Sequence, residues 1–123
     1  MAKDKPIPCL IHIPCTMPNG SDIDPEQMNS FLELLDRQFG GSTPLGVVDG
    51  RWVAPDGQTV AEKMLRVEVT VKKSQIPAFE KVAKVIGRQT KQEVMYVVIN
   101  YQAETRFLFV EEDDDDAARG TAG

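Results

Sequence analysis

Apolar and polar side chains alternate from Ile7 to Cys15. Ile7, Cys9, Ile11, Ile13 and Cys15 fall on one side, and Pro8, Leu10, His12 and Pro14 on the other. A period of two predicts a strand that faces a core with the first set. The period then lengthens. Asp24-Pro25-Glu26-Gln27 carries helix-start chemistry, with Asp as N-cap, Pro at the first helical position and Gln at the third. Met28, Phe31, Leu32, Leu35 and Phe39 follow as one apolar stripe, and Gly40-Gly41 ends the helix. Leu45 to Ala54 reads as a strand with a kink or bulge at Asp49-Gly50, and Pro55-Asp56-Gly57 as a hairpin turn. On the return strand, Thr59 to Lys73, Leu65, Val67, Val69 and Val71 point inward, and Arg66, Glu68, Thr70 and Lys72 outward. Ser74 is placed to cap a second helix with the stripe Ile76, Phe79, Val82, Val85 and Ile86, ended by Gly87. Val94 to Tyr101 is an apolar strand, and Arg106 to Val110 a short last one.

This order, β-α-β-β-α-β plus a short C-terminal strand, predicts an α+β, ferredoxin-like split βαβ fold. Two helices cover one face of an antiparallel sheet. Right-handed crossovers place the first and third strands at its centre. The expected core is Phe31, Leu35, Val67, Val69, Phe79 and Val82. The domain spans residues 1–110. Residues 111–123 are acidic, small and aperiodic, and read as a disordered tail.

Composition changes this picture little. A chain of 123 residues, 41% apolar and 27% charged, suits one globular domain without a stabilising metal or disulfide. The net charge of −5 includes the six consecutive acids Glu111 to Asp116, so the body without them is near +1. That balance argues against general affinity for nucleic acid or anionic membrane. No apolar run approaches the ~18 residues of a membrane span. Prolines 6, 8 and 14 interrupt the N-terminal apolar stretch and no small-x-small cleavage site follows, so a cytoplasmic location is expected. Cys9 and Cys15 on one strand lie ~20 Å apart, too far to pair within it, and read as buried thiols. One histidine and no Cys-x-x-Cys leave no metal site to expect. No cofactor fingerprint is present, and no cofactor is expected.

Candidate chemistry gathers on the open sheet face. His12 on a central strand, with Arg66 and Glu68 beside it, would suit ligand binding, or a general base held by a carboxylate. The plainer reading is a structural polar cluster. Trp52, between Gly50 and Gly57, could wall the rim of that pocket or simply plug one end of the sheet. Glu62 and Glu93, each near a strand start, could pair across a cleft or be surface charge. Gly40-Gly41-Ser42-Thr43 offers an anion nest, but it follows a helix, so the dipole is reversed and C-capping explains it better.

Phe39-Gly40-Gly41-x-Thr43, Gly50-x-Trp52, Gly57 of the Pro-Asp-Gly turn, Glu62 and Gln92-Glu93-Val94 form a pattern over about Ile11 to Asn100. In this the chain resembles a group of small bacterial βαββαβ proteins of unknown function. The resemblance implies the fold and no activity. Secreted members of a similar family carry lipoprotein signals, which this sequence lacks. The expectation is a non-enzymatic binding or accessory module, working as a homodimer through its open face. A small-ligand sensor or cofactor-independent enzyme with a pocket on that face is the alternative, and an acidic inhibitor acting through its tail is a third. Partners are then a second copy, a small molecule or another protein.

Overall fold

The computed structural model describes residues 4–110, so the tail expected over 111–123 lies outside the described residues. The elements are β1 (Pro6–Pro14), α1 (Pro25–Phe39), β2 (Thr43–Val53), β3 (Thr59–Lys72), a 3₁₀ turn over Lys73–Gln75, α2 (Ile76–Gln89) and β4 (Tyr96–Ile99). All strand pairs are antiparallel, in the order β2-β3-β1-β4. This is the ferredoxin-like α+β arrangement, with β1 and β3 central. Among the described residues no helix is long and apolar enough to cross a membrane.

The alternation sets the layers. Ile7, Cys9, Ile11 and Ile13 of β1 and Val67, Val69 and Val71 of β3 are buried beneath the helices. Phe31 and Leu35 of α1 and Ile76, Phe79, Val82, Ala83 and Ile86 of α2 complete one core. The six core residues expected from the stripes are all in it. α1 starts as its sequence indicates: Asp24 accepts from the Glu26 N–H at 2.9 Å, and Gly40 closes the helix at φ 89°. Glycine suits that left-handed position because it has no Cβ to clash. Cys9 is buried, and loss of hydration pushes its thiol up to about 11, which marks it as unreactive.

Four local expectations are corrected. The irregularity in β2 lies at Pro44/Gly46, where Gly46 takes φ 115°, and the ladder runs unbroken through Asp49 and Gly50. Proline has no N–H to give the ladder, so the bulge falls beside it. Ser74 does not cap α2; its N–H and hydroxyl both bond Asp4, tying the chain start to the end of β3. Gly87 does not end α2 either. It is buried inside the helix, where an added Cβ would lie 2.7 Å from Met95 Cγ. There glycine serves close approach, and the helix runs on to Gln89. Finally, Arg106–Val110 forms no strand. After β4, Asn100 donates to Pro8 at 3.2 Å and Thr105 to Pro6 at 3.1 Å. β1 then ends, which leaves residues 106–110 no ladder to join.

Two substitutions test this packing in urea unfolding. Leu35→Ala, at a fully buried position, is expected to lower stability by ~2–5 kcal/mol. Gly87→Ala gains helix propensity but overpacks Met95, and is expected to cost ~1–3 kcal/mol. An unchanged midpoint for either would refute the packing assigned to that helix.

Candidate functional site

The β1–β3 register places His12 directly opposite Arg66, and Leu10 opposite Glu68. On its other side, His12 is paired with Tyr96 of β4. The imidazole and phenol rings stack with centroids 4.0 Å apart and planes 5° from parallel. Nδ1 lies 3.3 Å from the Tyr96 carbonyl oxygen. A carbonyl only accepts, so Nδ1 carries the proton and Nε2 is the free acceptor of the neutral ring. Only 6% of His12 is exposed. Burial lowers its pKa; the bond to Tyr96 opposes that, and the Arg66 charge adds to it. The ring is therefore a stacked, neutral platform at neutral pH.

This platform forms part of the wall of a cleft of about 730 Å³. Trp52 and Met64 supply further apolar wall, Glu62 and Glu93 two carboxylates, and Lys91 a cation. Its walls come from β1, the outer parts of β2 and β3, and the segment leading into β4. Its volume falls in the range of small-molecule sites. Trp52 is 44% exposed, so it walls a cavity and does not plug the sheet.

The four expected site residues are thus divided. His12 and Trp52 share the cleft. Glu68 lines a second, smaller hollow of about 350 Å³ with Thr70, Lys72 and the Gly40–Thr43 loop. Arg66 is exposed on the same face but lines neither. Among the described residues the ion pairs are Lys63–Asp49 and Arg106–Glu104, so neither Arg66 nor Glu68 pairs with the other or with His12. The carboxylate-held histidine is therefore not formed: Arg66 occupies the position across from the ring, and a backbone carbonyl orients it.

Glu62 and Glu93, read in sequence as possible partners across a cleft, do line the same one. The Gly40–Thr43 loop acts as expected in C-capping, with the Gly40 N–H bonded to Asp36 at 2.8 Å and the Ser42 hydroxyl donating to the Asp36 carboxylate. Among the described residues no cluster of three or more His, Cys, Asp or Glu is gathered to hold a metal. The residues missed in sequence are Tyr96 and Met64. Tyr96 lay within a predicted strand, but its stacking on His12 depends on the β1–β4 register, which a short apolar run does not define.

No family model matches the chain, and no curated protein matches it. A solved structure does: a phage SAM lyase in complex with S-methyl-5'-thioadenosine, with a TM-score of 0.63 at 14% identity, covering 81% of this chain and 84% of that one. At that identity the likeness concerns the fold.

As the sole histidine, His12 can be titrated cleanly by NMR. Its pKa is expected below the ordinary ~6.5. A depressed folded-state pKa means that the unfolded chain binds the proton more readily. The stability tied to the neutral ring is therefore complete above pH ~6.5 and lost as pH falls through the lowered pKa. His12→Asn, which keeps a donor for Tyr96 without titrating there, is expected to flatten that part of the stability–pH curve. A His12 pKa above the ordinary value would contradict the burial described.

Proposed function

We propose that this chain is a small-ligand-binding module whose site is the His12–Trp52 cleft, and that its ligand carries a flat heteroaromatic ring of the nucleoside kind. The observation that carries the reading is the parallel-stacked His12–Tyr96 pair, with Tyr96 half exposed, lining a cleft that Trp52 also lines. Flat aromatic faces stack on bases whatever their identity, and each such contact is worth ~1–3 kcal/mol. Glu62 and Glu93 can accept from ribose hydroxyls, amines or a cationic group. The solved relative in fold binds a thioether nucleoside, which is consistent with this choice of ligand. Binding is favoured over general-base catalysis because Arg66, not a carboxylate, stands across from His12, and burial makes the His12 ring less basic.

A second reading, an accessory module working as a homodimer, is favoured by a separate observation. Leu45, Val47 and Val53 along the edge strand β2 are 50–66% exposed. Apolar side chains left in water along an unpaired strand edge suit an association surface.

Trp52 is the only tryptophan, so its fluorescence reports the cleft directly. Titration with S-methyl-5'-thioadenosine, and with adenosine, is expected to change Trp52 emission and shift the His12 NMR signals together. Tyr96→Ala is expected to weaken binding ~5- to 100-fold with the fold intact. If millimolar nucleoside moves neither signal, the reading is wrong.

A further inference from the structure

β2 is an edge strand of 11 residues whose principal packing is on β3 alone. Its outer row of backbone groups has no strand partner among the described residues. Long edges of this kind are normally blunted by lysines, prolines, bulges or a covering element. Here Pro44 and the Gly46 bulge disturb only the first few residues. From Val47 to Val53 the ladder to β3 is regular, and the edge is open.

We propose that this edge pairs antiparallel with the same edge of a second copy, centred on Gly50, to give a continuous eight-stranded sheet. The proposal rests on the homodimer reading above and names its surface and register. The stretch Val47-Val48-Asp49-Gly50-Arg51-Trp52-Val53 is self-complementary about its middle residue. With Gly50 opposite Gly50, Asp49 meets Arg51 of the second copy, and Arg51 meets Asp49. Val47 meets Val53 on the same face, and Val48 meets Trp52 on the other. Opposite charges and apolar pairs placed directly across an antiparallel ladder stabilise it, and like charges destabilise it. Centring on Asp49 or on Arg51 instead puts two like charges face to face, so the sequence selects the Gly50 register over its nearest alternatives. Arg51 has no ion pair within the chain among the described residues, whereas Asp49 already has Lys63 at 3.4 Å. Pairing would supply Arg51 with its missing counter-charge and cover Val47 and Val53, now 59% and 66% exposed. A two-fold axis of this type is the commonest oligomer symmetry.

The arrangement also bears on the cleft. Gly50, Arg51 and Trp52 line it. In the paired sheet, Val48 of the second copy lies beside Trp52, so the outer wall of each cleft borders the other protomer.

Charge reversal in the full chain tests the register. Asp49→Arg and Arg51→Asp each place two like-charge contacts in the dimer, and each is expected to raise its dissociation constant about tenfold or more by sedimentation or light scattering on dilution. The double variant Asp49→Arg with Arg51→Asp restores opposite charges and is expected to recover most of the parent affinity. Circular dichroism of each variant checks that the fold is kept. Recovery in the double variant supports the register. A parent that dimerises but whose single variants do so unchanged, or whose double variant is no better than the singles, overturns the register and leaves the homodimer reading standing. A parent that is monomeric at all concentrations overturns both.

Discussion

The whole structure depends on the ladder between β1 and β3. Pairing runs without interruption from Pro6–Lys72 to Pro14–Met64. Because side chains alternate with a period of two, this register decides every assignment to core or open face at once. A slip of one residue would send Ile7, Cys9, Ile11 and Ile13 into water and bring His12 under the helices. The apolar set on one side, nearly wholly buried, makes that slip costly. His12 therefore reaches the open face as a consequence of core packing. Its neighbours Arg66 and Tyr96 are chosen by the same ladder and by the shorter one to β4.

A mismatch in length generates both the cleft and the open edge. α1 and α2 have 15 and 14 residues, which makes each about 22 Å long at ~1.5 Å per residue. β3 has 14 residues, about 46 Å at ~3.3 Å per residue. The helices can shelter only about half of it. Val67, Val69 and Val71, in the sheltered half, are fully buried, while Thr59 to Ala61 at the far end are exposed. β2 pairs with that overhanging part, and the pair projects as a two-stranded arm ended by the turn at Gly57. One side of the arm, with the end of β1 and the approach to β4, encloses the cleft. The free side of β2 is the sheet edge.

Much of this was legible in the sequence, for identifiable reasons. The two helices were legible because their stripes are long, and α1 also because its ends carry Asp24-Pro25 and Gly40. The central strands were legible because one side of each is wholly apolar. What failed was local. Gly87 resembles a helix stop, and only the packing of Met95 against it shows that the chain needs a missing side chain there. Ser74 resembles a cap, but Asp4, distant in sequence, claims its donors. Phe107 to Val110 have strand composition and no ladder, since their pairing depends on where β1 stops. The site was half legible. Parity placed His12, Arg66 and Glu68 on one face, but parity does not fix position along the strands. Glu68 lies two residues further along β3 than Arg66, which is enough to put it in a different hollow.

The character of His12 follows from this geometry more than from its residue type. A histidine poised as a base has a carboxylate on its Nδ1 side, which raises its basicity. Here the Nδ1 proton goes to a neutral carbonyl, a guanidinium stands across the strand, and the ring lies flat against a phenol. Burial and the guanidinium disfavour the imidazolium, and the bond to the carbonyl offsets them only in part. What remains is a rigid, uncharged aromatic surface with one acceptor nitrogen. Such a surface on a central strand, where neighbouring strands hold it on both sides, moves less than one on a loop. The cleft thus combines a fixed floor on β1 and β4 with a wall on the overhanging arm, where Trp52 and Glu62 are held by β2–β3 pairing alone. Any constraint on the outer edge of β2 therefore acts directly on the half of the cleft that β2–β3 pairing holds.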